Sequence, residues 1–240
     1  MCWSLEASAA MVVAGAAATG VAHRQGQPTA IWATLGYFTV MEALQVAGYM
    51  VVDRCGTAQN QAVTLLSYLH IVFQPLFINA FAMELVPAPV KQRVRVWVFG
   101  LCALSSAVML AQIIPWPALG ACIPGTPLCG QSYCTASGNW HIAWHIPYNG
   151  LMVPVDGMVG SQSGFPSYMA TVFLLPLLYG AWRFVLLHAA AGPALAWALT
   201  SNPNEMPAVW CLFSIAILCI SLSPLVRRSM TSRSWWGVPV

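Results

Sequence analysis

The stretch Trp140-His141-Ile142-Ala143-Trp144-His145-Ile146-Pro147-Tyr148 places two of the chain's five histidines four residues apart among aromatic side chains. If residues 139–146 form a helical turn, this spacing puts His141 and His145 on one face, as paired imidazoles need to be when they ligate a metal ion. Three further ionisable groups, Glu6, Glu42 and His70, stand within long apolar runs. Each costs roughly 2.5 kcal/mol or more in lipid unless it faces a bundle interior and finds a partner, so each is a functional candidate. Gln45 lies one turn from Glu42 and Gln74 one turn from His70, which gives each helix a polar stripe.

Glu6, Glu42, His70, His141 and His145 together would make a mixed carboxylate and imidazole site for a divalent metal, zinc or iron, with Gln45, Gln74 and Ser67 behind the ligands. Zinc there would lower the pKa of its bound water, and Glu42 as catalytic base would take the proton, giving a metal-dependent hydrolase for a lipid or small amphiphile. A plainer reading joins Glu42 to His70 as a polar clamp between helices. It leaves His141 and His145 at the membrane interface with Trp140, Trp144 and Tyr148. Both readings stay open.

The elements that must position these residues are membrane spans. Of 240 residues, 59% are hydrophobic and 6% charged, with a mean hydropathy of +0.70, outside the range of a soluble domain. The expected fold class is all-α: a polytopic transmembrane helix bundle forming one integral membrane domain over residues 1–240. Spans are expected near 4–21, 29–52, 63–85, 94–114, 166–180, 185–200 and 207–224. Seven spans are preferred to six because Arg24, Lys91, Arg93, Arg95, Arg183, Arg227, Arg228 and Arg233 then share one side, leaving Arg54 on the other. The positive-inside rule makes the N-terminus outer and the C-terminus inner, with the site facing the extracytoplasmic side. Pro75, Pro176 and Pro193 fall inside spans, where kinks are expected.

Residues 115–165 form the long outer loop, without Lys or Arg but with Cys122, Cys129 and Cys134. With Cys55 they are disulfide candidates in an oxidising exterior, their pairing open. A zinc knuckle of Cys122, Cys129 and Cys134 with His141 is the alternative use, and Cys2 falls on the same outer side. Glu84 and His188 approach the inner face and read as structural.

The net charge of +3 is spread without a basic and aromatic run, which excludes a nucleic-acid partner. A retinal-type Schiff base needs a lysine within the bundle, and the one lysine, Lys91, lies in an inner loop. Two other classes remain beside the enzyme: a small-ligand transporter or sensor, and an accessory subunit of a membrane complex or homo-oligomer burying apolar faces against partners. Membrane lipids are partners under every reading.

The opening Met-Cys-Trp with Glu6 in the first span resembles an uncharacterised family of small multipass membrane proteins. That likeness covers most of the chain and implies roles for Cys2, Trp3 and Glu6, without an activity. His141, Trp144 and His145, with Ser67 and His70 on one span, are similar to motifs of the seven-helix hydrolases that include alkaline ceramidases and adiponectin receptors. The resemblance implies zinc-bound water attacking a lipid amide. It departs from that pattern in having the histidine pair in a loop before the fifth span, a Ser-to-His spacing one residue short, and Glu42 where an Asp is expected.

Overall fold

The computed structural model describes residues 3–160 and 162–235, so Cys2 lies outside the described residues. The chain is mostly helical. Helices α1 (Leu5–Arg24), α2 (Thr29–Val51), α3 (Ala58–Ala82) and α4 (Ala88–Gln112) follow one another through short connections, each packed on the next. Such connections make neighbours antiparallel. Ser4 starts α1 by accepting from the Ala7 N–H, and Gly26, at φ 65°, helps turn the chain after its end. Small residues bring α1 close to α2: a Cβ on Gly15 would lie 2.3 Å from Thr39 Oγ1.

The second half holds α5 (Val153–Met158), α6 (Pro166–Leu178), α7 (residues 182–199), α8 (Met206–Leu222) and α9 (Pro224–Met230). A π-helical turn interrupts α6 at Ala170–Leu174, just before Pro176, and another interrupts α7 at Ala190–Ala194, around Pro193. An added residue in the turn accommodates a ring that cannot donate a hydrogen bond. Pro75, by contrast, is contained within α3.

Three helices among the described residues, Leu5–Arg24, Ala58–Leu85 and Ala88–Gln112, are long and apolar enough to cross a membrane. Met206–Leu222 passes that test together with Pro224–Met230, from which it is bent by 106°. The helices lie where the apolar runs predict them, although α3 and α4 start earlier than expected, at Ala58 and Ala88.

Residues 113–165 fold into a cap over one end of the helices. Its two-stranded antiparallel sheet pairs β1 (Cys134–Ser137) with β2 (Ile142–His145), Cys134 opposite His145. Disulfides join Cys55 to Cys134 and Cys122 to Cys129. Asn60 at the start of α3 donates to Val51 O and Thr135 O, both at 2.8 Å, and its Oδ1 accepts from Thr135 N at 3.0 Å. Asn149 binds the carbonyls of Ala111 (2.9 Å) and Ile114 (3.0 Å) at the end of α4, and Trp3 N–H reaches Trp140 O at 3.0 Å.

The opposite end is tied by Ser232 N–H to Leu85 O (2.8 Å), by Arg227 to Gln27 Oε1 (2.7 Å), and by the Lys91–Glu84 ion pair at 2.5 Å. Glu84 thus meets a basic residue of the α3–α4 end, Lys91.

Candidate functional site

Among the described residues, no three His, Cys, Asp or Glu side chains converge as a metal ion needs. The five expected ligands are instead distributed among separate contacts. Glu6 is exposed in the first turn of α1, a position that suits a negative charge near the helix N-terminus and removes its expected interior role. Glu42 is buried and accepts from Ser214 of α8 at 3.0 Å, while its other carboxylate oxygen has no hydrogen-bond partner. Gln45 accepts from Ser8 of α1 and donates to Ala208 O, both at 3.5 Å. The polar stripe of α2 thus faces α1 and α8.

His70 makes a different pair. Its Nε2 donates to Tyr37 O at 2.7 Å, the Tyr37 hydroxyl donates back to His70 O at 2.5 Å, and the rings stack at 3.8 Å. The clamp between α2 and α3 exists, with Tyr37 in the place expected for Glu42. Ser67 is buried, and Gln74 accepts from the Tyr168 hydroxyl at 2.6 Å.

The helical turn expected at 139–146 is corrected to an extended strand, because β1 takes up the backbone hydrogen bonds of residues 142–145. Burial lowers the pKa of His145, whose Nδ1 sits 2.9 Å from Asn204 Nδ2. All four candidate cysteines are disulfide-bonded, which leaves no thiolate for a zinc knuckle.

His141 is fully buried before β2. Its Nδ1 accepts from the Ile142 N–H at 2.7 Å and lies 3.2 Å from the Tyr49 hydroxyl, so the ring proton belongs on Nε2. Trp3 stacks on the ring at 5.9 Å. Glu205, between α7 and α8, holds the surrounding backbone. It accepts from the N–H groups of Asn139 (3.0 Å), Trp140 (2.5 Å) and His141, and from the Thr200 hydroxyl (2.5 Å). Gly138 leaves room for this carboxylate: a Cβ there would lie 2.6 Å from Glu205 Cδ. Neither Glu205 nor its cradle was foreseen; the available signal was an acidic residue ending the short polar connection Ser201-Asn202-Pro203-Asn204-Glu205.

Burial pulls the His141 pKa from an ordinary value of 6.5 to about 3. The folded value lies below the unfolded one, so between them only the unfolded chain binds the proton, and stability falls with falling pH. From pH 6.5 to 5 the expected loss is about 2 kcal/mol, at roughly 1.4 kcal/mol per unit, with His145 adding in the same direction. Thermal unfolding in detergent against pH tests this. A His141→Gln profile as steep as wild type would rule out the assignment.

A cavity of about 230 Å³ lies beneath the cap, reached by residues of α2, α3, α4, α6, α7 and α8. Phe38, Ile78, Met109, Leu128, Phe165 and Phe213 make much of its wall, which among the described residues contains no Asp, Glu, Lys or Arg. Its polar groups are largely paired: Gln74 with Tyr168, and His188 with Trp210, whose Nε1 donates to His188 Nε2 at 3.0 Å. His188 stacks on Phe213 at 4.0 Å. It is wholly buried in the cavity wall. No spacing in the sequence joins His188 to Trp210; their meeting depends on Gly192, where a Cβ would lie 2.3 Å from Trp210 Nε1.

Helices of membrane-crossing length and a disulfide-stapled cap over an apolar cavity define the class of protein. The chain belongs to a family of unknown function (DUF5765), whose model matches residues 6–231. Neither the curated proteins nor the solved structures contain a match to it.

Proposed function

We propose that the chain is a polytopic membrane protein that binds a small, uncharged apolar molecule beneath an extracytoplasmic cap. The cavity carries this reading. At about 230 Å³ it falls between the roughly 150 Å³ apolar cavity that takes up benzene and the roughly 300 Å³ of the smaller ligand pockets. Its wall offers a ligand aromatic and aliphatic contact, and no charged side chain to meet an ionised group. Trp210 already engages one nitrogen of His188, the cavity's single imidazole. Binding, as in a sensor or carrier, is therefore placed ahead of metal-dependent hydrolysis.

Seven spans, an outer N-terminus and an inner C-terminus belong to the same proposal. Two observations favour them: the disulfides cluster at the cap, and the basic residues other than Arg54 belong to the opposite end. In a background with Cys2 and Cys219 changed to Ser, Gln162→Cys is expected to react with an impermeant maleimide on intact cells and Arg228→Cys only after permeabilisation. The reverse pattern would invert the topology.

Benzene is expected to raise the thermal midpoint of detergent-purified protein with the logarithm of its concentration above the dissociation constant, and Ala196→Trp, which fills the cavity, to abolish the shift. An unchanged wild-type midpoint, or an undiminished shift in the variant, would remove the cavity as the binding site.

A further inference from the structure

The end opposite the cap carries a second recess, of about 670 Å³, lined by Trp182, Arg183, Arg228, Arg233 and the serines 229, 232 and 234. Three arginines face one space, and among the described residues the one ion pair of the protein is elsewhere, between Lys91 and Glu84. Among the described residues, the recess thus has a positive field without an internal carboxylate to neutralise it.

Its geometry is held in place. Arg183 donates from Nη1 to Ser229 O (3.1 Å) and Thr231 O (3.2 Å), and its guanidinium carbon sits 5.2 Å from the centre of the Trp182 ring. Ser232 is fixed by its hydroxyl to Gly180 O at 2.7 Å. Arg227 is directed elsewhere, to Gln27 Oε1 at 2.7 Å and Ile220 O at 3.3 Å, so it braces the bundle.

The surroundings identify the source of the anion. Helix α9 leaves α8 at 106°, so if α8 crosses the bilayer α9 runs nearly along its surface. Leu225, one turn before Arg228 on α9, is 78% exposed, and Trp182, which lines the recess, is also exposed. An apolar rim at the interface with arginines behind it suits a molecule with hydrocarbon chains and an anionic headgroup.

We propose that Arg183, Arg228 and Arg233 bind the phosphate of an anionic phospholipid, with its chains against Leu225 and Trp182. Planar guanidinium groups match phosphate oxygens by forked hydrogen bonds, and the Ser234 hydroxyl can add a neutral donor, those of Ser229 and Ser232 being given to Val226 O and Gly180 O. This site rests on the membrane embedding proposed above and is independent of the apolar cavity.

The test measures binding of phosphatidylglycerol and phosphatidylcholine to the purified protein by native mass spectrometry, with inorganic phosphate as a third arm. Wild type is expected to prefer phosphatidylglycerol at least tenfold over phosphatidylcholine and to bind inorganic phosphate far more weakly. Arg228→Gln with Arg233→Gln should bring the preference to within twofold. The charge-matched control, Arg93→Gln with Arg95→Gln, should leave it intact, and these four side chains avoid the structural bonds of Arg183. Equal binding of the two lipids, a preference retained by the first double variant or lost in the control, or inorganic phosphate binding as tightly as phosphatidylglycerol would overturn the site. Failure to enter phosphatidylcholine vesicles at all would instead reject the membrane embedding.

Discussion

Glu205→Ala is expected to lower stability by about 3 kcal/mol, since unsatisfied buried donors cost roughly 1–3 kcal/mol each and some can rehydrate. The carboxylate accepts three consecutive backbone N–H groups and one hydroxyl, and His141 and Thr200 are both buried. Removing it also disconnects the α7–α8 connection from the cap. Amide exchange should therefore rise in residues 139–145 before it rises in α1 or α3. Glu205→Gln retains acceptor oxygen on one side and turns a donor toward other donors, so about half the loss is expected. Thermal unfolding in detergent measures both variants, and a Glu205→Ala protein within 0.5 kcal/mol of wild type would refute this role.

Breaking the Cys55–Cys134 bridge is expected to have the other large effect. The bridge spans 79 residues, whereas Cys122–Cys129 spans 7. On the chain-entropy scale, the longer closure stabilises by roughly 4 kcal/mol and the shorter by roughly 2. Cys55→Ala with Cys134→Ala should therefore lower the midpoint about twice as far as Cys122→Ala with Cys129→Ala. The long bridge also joins the α2–α3 connection to β1, so its loss should loosen the Thr135 contacts to Asn60. Equal losses in the two double variants would show that loop length does not govern the stabilisation here.

The helices and the disulfide partners were legible because each depends on a local or compositional signal. Apolar runs locate α1 to α4, and cysteines concentrated around one loop pick out the four that pair. The site was less legible because a span's sequence gives depth and helix face, but not which neighbour that face meets. Glu42 and His70 share a depth, yet Glu42 meets Ser214 and His70 meets Tyr37. The spacing of His141 and His145 was ambiguous for another reason: residues four apart share a side on a strand as well as on a helix. Only the pairing with residues 134–137, remote in sequence, decides between them. Glu205 and His188 depend on contacts 64 and 22 residues away, with no periodic trace.

The π-helical turns in α6 and α7 have a consequence for how those two helices divide their surfaces. One residue beyond α-helical register rotates everything after it by about 100° around the axis. Residues on either side of such a turn therefore follow separate azimuthal patterns. In α7, His188 precedes the turn and Ala196 follows it, yet both reach the same cavity. Eight residues apart, they would differ by about 80° in uninterrupted α-helix; the insertion resets that offset. Cavity-facing positions on either side of the turn can then change without being bound to one heptad-like stripe, so the cavity wall is built from two independently phased segments of one helix.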